Sequence, residues 1–352
     1  MNLFAGSTGR LLLVALFGLM TLFANSSTVA QGQAAGTPAG AGTASPTTAF
    51  PVATEDCFGR ELTFSEPPAR VVTLDGYALE FLLRLGLGDH IVGTGFPLTP
   101  DKIPADLADA MAAVPILGET DLHLNLSTEE IAAARPDLIL TAYPFMLDAT
   151  FDNQLPSDVL GPDVLAVTAC NGTPNASHDG IESTYQFIDQ LGLIFGVQDR
   201  SNELATEMRD RQASLAASIP AGDSPRVMLV GGIPNGDSPV FSWGGASFPN
   251  GIVRLAGATN VFGDVNEDFF SPSAEDIAAR DPEFLVIIVR DPPPANGEVA
   301  ATLLADPALG ETTAVRESRF IVLSDALMAG PTARNLDGVE RIIDALYSPA
   351  AS

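Results

Sequence analysis

The residues in this chain best suited to chemistry are a set of rings and one cation, and they stand beside loop-marking residues or at the ends of apolar runs. Trp243, the sole tryptophan among 352 residues, lies in Ser242-Trp243-Gly244-Gly245, where a ring can be presented to a flat or apolar ligand. Tyr143 is followed by Pro144 in the same manner. Tyr77, Phe96, Phe248 and Phe270 complete the set in a chain that is only 7% aromatic, although each phenylalanine alone reads equally well as core. Arg290 closes an apolar run and could meet an anion through charge-assisted hydrogen bonds, or simply pair with Asp291 beside it. Asp75 brings a carboxylate to a similar position after a β-branched run.

Catalytic spacing does not emerge. No G-x-S-x-G elbow follows a strand, and Gly86-Leu87-Gly88 follows a helical run, so it makes no phosphate cradle. The histidines are His90, His123 and His178. A free-metal site needs several converging ligands, and only Asp75 with His123 stays open as a pair. No enzyme activity, metal or cofactor is expected.

The elements that gather these residues can be read from periodicity. Val71-Val72-Thr73-Leu74 breaks at Asp75-Gly76, and Leu79, Leu82, Leu83 and Leu85 then recur at helical spacing before a second apolar run, Ile91-Val92, ends at Gly93 and Gly95. Two strands around a helix predict a right-handed crossover with a parallel pair. Arg226 to Gly232 repeats the first strand with its glycine break, and Leu126 to Leu140 matches Pro272 to Val286 without a gap. The chain is therefore expected to be α/β, with two Rossmann-like lobes of parallel-rich sheets joined by one long helix within Asp199 to Ile219. Ligands of such sheets sit outside the C-terminal strand ends. That rule yields Asp75, Tyr77, Phe96, Tyr143, Trp243, Phe248, Phe270 and Arg290 as candidate ligand-binding residues, from a wider set that includes Phe269.

The run ALEFLLRLGLGDHIVGTG (78–95), followed by VPILGETDLHLNLSTEEIAAARPDLILTA (114–142), resembles the substrate-binding proteins of ABC importers that capture iron-siderophores, haem or cobalamin. The likeness runs from Asp56 to Leu346. It implies a rigid two-lobed binder whose cleft holds a ferric siderophore, haem or corrinoid and which hands it unchanged to a membrane permease. It also implies that an acidic residue on the upper helix of each lobe meets permease arginines. Glu80 matches that role in the first lobe, while Phe248 to Val253 in the second offers no carboxylate. Arg334 stands where the family often carries an arginine. A transporter-independent extracellular sensor or scaffold, a free-metal binder and a redox protein of similar plan remain the alternatives.

The net charge of −27, from 44 acidic against 17 basic residues, argues against nucleic acid as a partner. It suits a soluble, monomeric, exported chain. Residues 1–30 read as a secretory signal, Arg10 preceding an apolar core from Leu11 to Ala24 that is shorter than a membrane span. An uncleaved anchor is the other reading. Residues 31–53 read as a flexible linker, 54–178 as the first lobe, 179–219 as a helical segment and 220–352 as the second lobe. The first cysteine is Cys57, so a lipid-bearing cysteine directly after the signal is not expected. Cys57 and Cys170 suit a disulfide in an oxidising compartment.

Overall fold

The computed structural model describes residues 49–55, 59, 61–95, 98, 102–118, 128–143, 164–169, 180–234, 239–290 and 295–347. All lie within the compact unit Ser45–Ser352. The expected signal, the Cys57–Cys170 pairing, Phe96, His123 and His178 fall outside the described residues. Among the described residues no helix is long and apolar enough to cross a membrane.

A hairpin comes first. β1 (Val52–Glu55) pairs antiparallel with β2 (Glu61–Phe64), turning Val52, Leu62 and Phe64 inward at the period of two that strands impose. The first strand begins inside the stretch read as linker, because Val52 already has a core to enter.

The first lobe is a parallel sheet. It comprises β3 (Val71–Thr73), α1 (Gly76–Arg84), β4 (Ile91–Thr94), α2 (Ala108–Ala112), α3 (Thr128–Ala134), β5 (Leu138–Thr141) and β6 (Leu165–Thr168). The strand order is β4-β3-β5-β6, so β3 to α1 to β4 is the crossover that the leucine spacing implies. After α2 the chain adds a single parallel bridge between Ile116 and Thr94.

Two helices follow, α4 (Ile181–Phe195) and α5 (Gln198–Ser218). Gly196 separates them in the left-handed region at φ 68°, a conformation glycine adopts without a Cβ penalty. Gly192 leaves no room for a Cβ against Ser201, so the pair packs closely.

The second lobe contains β7 (Arg226–Gly231), β8 (Ser242–Trp243), α6 (Phe248–Leu255), β9 (Thr259–Asn260), β10 (Phe269–Phe270), α7 (Ala274–Arg280), β11 (Phe284–Val289), α8 (Asn296–Ala305), α9 (Thr313–Arg316), β12 (Phe320–Ser324), α10 (Asp325–Met328) and α11 (Asn335–Tyr347). Its parallel sheet runs β12-β11-β7-β9, and β8 pairs antiparallel with β10. The 21 residues of α5 extend over about 30 Å. Near its start Arg200 donates to Leu85 O in the first lobe at 3.0 Å, and further along Arg211 holds Asp337 and Glu340 of α11 at 2.6 Å each. One apolar core continues from Val71, Phe81 and Leu138 through Ile188 and Leu191 of α4 into Val227, Ile252, Val286 and Ile342. The lobes thus share a floor, which opposes free hinging.

The internal repeat holds to the level of single atoms. α3 and α7, and the strands after them, begin at matching positions, with Ile131 and Ile277 equally buried. Arg135 and Asp281 end the two helices in positive φ, 48° and 36°, each just before a proline. Asp137 accepts from the amides of Ala69 and Arg70, and Glu283 from that of Arg226. The side chains of Arg70 and Arg226 in turn donate to helix-terminal carbonyls, those of Ala134 and Arg280, where a cation is favoured.

Candidate ligand-binding site

At the C-terminal end of β7, three rings form a shelf. Phe241 and Phe269 stack with centroids 5.1 Å apart and planes 14° apart, and Trp243 meets Phe269 edge-on at 5.0 Å. Phe241 is 37% and Phe269 48% exposed. Alternation produces this: Val240 and Ser242 turn inward, Ser242 donating to Leu229 O at 2.7 Å, which leaves Phe241 on the outside. Gly231 ends β7 beneath the rings, where a Cβ would stand 3.1 Å from Phe269.

Arg290 is the next group along the same edge. Ile288 of β11 lies opposite Gly231, and Val289 opposite Ser324 of β12. One strand spacing, about 4.8 Å, therefore separates the row carrying Arg290 from the rows carrying the shelf and Asp325. The guanidinium is 57% exposed, with Nε 3.9 Å from Asp325 Oδ2. Asp325 Oδ1 is held at 2.8 Å by Lys102, which arrives from the first lobe and is 5% exposed.

The first lobe contributes two tyrosines. Tyr77 and Tyr143 meet edge-on at 5.6 Å. They pack with Ala142 and, from the second lobe, Ala326; a Cβ at Gly330 would stand 3.0 Å from the Tyr143 ring. Burial raises the pKa of both phenols, and the nearby Asp325 carboxylate pushes in the same direction, so both stay neutral hydroxyls. Asp75 sits beneath them. Its Oδ1 accepts from the amides of Tyr77 and Ala78, and its Oδ2 from Thr141 Oγ1 at 2.6 Å and the Ala142 amide at 2.8 Å. Burial raises the Asp75 pKa while these four bonds pull it down. The carboxylate thereby ties the start of α1 to the end of β5, fixing both tyrosines.

A family model described as periplasmic binding protein matches residues 71–327, most of this two-lobed fold. The chain belongs to that family. A cobalamin-binding protein of Halobacterium salinarum is 25% identical over 302 residues, 85% of this chain and 75% of the relative. Among solved structures, the ABC-type Fe3+-hydroxamate transport system of Saccharomonospora viridis superposes with a TM-score of 0.71 at 26% identity, over 85% of this chain and all of the other. A periplasmic haem-binding protein of Pseudomonas aeruginosa gives 0.59 at 26% identity, over 80% and 93%.

Within this periplasmic binding protein, Tyr77, Tyr143, Trp243 and Arg290 stand at the strand ends where the sheet rule puts a ligand. Three other expected residues stand elsewhere. Asp75 is the buried brace just described. Phe248 is 5% exposed and in the core, because Ser247 caps α6 by accepting from the Asn250 amide and Pro249 suits the first turn, so Phe248 is the first residue of a helix and not part of a loop. Phe270 packs edge-on against Phe262 at 5.4 Å beside the second-lobe core, while its neighbour Phe269 faces outward. Glu80, matched to a permease contact, is 0% exposed. It lies 2.8 Å from Arg84 on its own helix and 3.4 Å from Arg334 of the second lobe, so it presents no carboxylate to a partner. Sequence reasoning missed Phe241 as a partner of the shelf. The signal was present in Pro239-Val240-Phe241-Ser242-Trp243, whose alternation places Phe241 and Trp243 on one side.

Proposed function

We propose that this periplasmic binding protein captures a metal chelate with an apolar or flat face, a ferric siderophore, haem or a corrinoid, outside the cytoplasm and delivers it as a monomer to an ABC permease. The observation that carries this reading is the exposed stack of Phe241 and Phe269, backed edge-on by the half-buried Trp243, beside an exposed Arg290 at the C-terminal edge of a parallel sheet. Rings supply area for an apolar face, and the guanidinium supplies directed bonds to a carboxylate or hydroxamate oxygen. Tyr143 would contribute to the opposite wall, with Tyr77, only 6% exposed, packed against it from the buried side. Titration of the full chain with a ferric hydroxamate, haemin and cyanocobalamin, followed through Trp243 fluorescence and calorimetry, should give saturable binding of at least one. Absence of binding to all three would overturn the proposal.

Permease docking moves from Glu80 to a different pair. Glu129 and Glu275 occupy the same position of the internal repeat, in the first turns of α3 and α7, and both are exposed. Each helix runs back against the strand that follows it, so it starts at the cleft edge of its sheet. The neighbouring acids are engaged locally: Glu130 accepts from the Gly118 amide at 2.6 Å, and Asp276 from Ser273 at 2.8 Å. A symmetrical pair of carboxylates is thus available to meet basic groups on a permease.

A further inference from the structure

We infer that Lys102, the only lysine in the chain, is a positioning residue that keeps Arg290 available to an anionic ligand by occupying Asp325. The inference rests on the proposed role of Arg290 as a ligand contact and adds the group that permits it.

Asp325 opens α10 in the second lobe, one strand away from Arg290 on the sheet edge. Its carboxylate has two cations within reach. Lys102 Nζ takes Oδ1 at 2.8 Å, a hydrogen-bonded ion pair, whereas Arg290 Nε stands 3.9 Å from Oδ2, beyond hydrogen-bond distance. Ser324 Oγ adds a longer bond to Oδ1 at 3.3 Å. One carboxylate balances one cation. While Lys102 supplies that balance from a nearly solvent-free position, Arg290 keeps its donors and its charge for whatever sits on the aromatic shelf.

Without the lysine charge, Asp325 is left uncompensated in a poorly hydrated site. A carboxylate in that condition recruits the nearest cation, and a guanidinium can answer with two parallel bonds. The nearest is Arg290, which needs to move by about one ångström to make a hydrogen bond. Arg290 would then turn from the cleft to Asp325. Because Lys102 belongs to the first lobe and Asp325 to the second, the apposition of the lobes seen here is what releases Arg290.

The test uses the full chain and two readouts. Phenylglyoxal labelling of Arg290, followed by peptide mass spectrometry, reports whether the guanidinium is free and requires no ligand. Lys102→Met should slow labelling several-fold, Lys102→Arg should restore it, and Lys102→Met with Asp325→Asn should restore it too, since the competing carboxylate is gone. The double variant also removes the unpaired charge should the single variant fail to fold. In parallel, Lys102→Met should weaken haemin binding about 10- to 100-fold, the scale of a lost charged hydrogen bond, and leave binding of the haemin dimethyl ester unchanged. Unaltered Arg290 labelling in Lys102→Met, or slow labelling that persists in the double variant, would overturn the inference. Arg290→Gln that leaves haemin affinity intact, while the labelling pattern holds, would instead count against Arg290 as a ligand contact.

Discussion

Glu80 and Arg334 meet across the lobe boundary at 3.4 Å, with Arg84 on the other side of the same carboxylate at 2.8 Å. The position matched to permease recognition is thus an internal tie. Asp106 completes the chain of charges from outside, 3.3 Å from Arg84. Removing one partner of a buried pair leaves an uncompensated charge, which costs about 3–5 kcal/mol. Glu80→Ala should therefore lower unfolding free energy by roughly that amount, because Arg334 is 83% buried on its side chain and has no other ion-pair partner among the described residues. Urea unfolding measures this directly. A variant with native stability and lost transport would return Glu80 to a docking role.

The shelf and the core should separate cleanly on substitution. Phe269 is half exposed, so Phe269→Ala is expected to keep its fold and weaken ligand binding about tenfold, the upper range for an aromatic contact. Phe248 lies in the core, and Phe248→Ala should cost about 3–5 kcal/mol of stability. Its effect on affinity should vanish under conditions where the variant is folded. Fluorescence titration beside urea unfolding distinguishes the two, and equal loss of affinity from both substitutions would remove the shelf from the site.

Much of the architecture was legible in the chain because the repeat is local chemistry written twice. Arg135-Pro136-Asp137 and Asp281-Pro282-Glu283 each stop a helix just before a buried apolar strand, and the proline and the apolar run that mark this lie within a few positions of each other; the bonds from their carboxylates to Arg70 and Arg226 are long-range and were not legible. The glycines after Trp243 suggested a loop, but Ser242 and Trp243 form the short strand β8, whose pairing with Phe269 and Phe270 is again a contact between residues far apart in sequence. What escaped were contacts made by residues far apart in sequence. Nothing near Glu80 announces Arg334, and nothing near Lys102 announces Asp325. Phe248 was misplaced although a local signal was there to read, since Ser247 and Pro249 start a helix at Phe248 itself.

Docking through the repeat predicts a behaviour that a lone surface charge does not have. Glu129→Lys and Glu275→Lys should each reduce stimulation of the importer's ATPase in proteoliposomes, and the double reversal should abolish it. Ligand affinity and stability should stay within error of the unmodified chain, as both residues are exposed and isolated surface charges contribute little. If the double reversal left stimulation intact, the symmetrical pair would be discarded.

Acid should loosen the second lobe at a defined joint. Asp281 accepts at 2.8 Å from both the amide and the hydroxyl of Thr313, and these bonds hold its carboxyl below the ordinary value of 3.8. A depressed folded-state pKa means that the fold favours the ionised form. Its contribution is complete above 3.8 and is lost as pH falls below that value toward the folded one. Asp281→Asn keeps a residue that tolerates the left-handed backbone at φ 36° and removes the titrating charge together with one of the two acceptor oxygens. Urea midpoints taken from neutral pH down through the carboxylate range should fall less steeply for Asp281→Asn than for the unmodified chain. Thr313→Val, which retains the amide and loses the hydroxyl, should lie between them. Parallel curves for all three would show that this corner does not couple proton binding to folding.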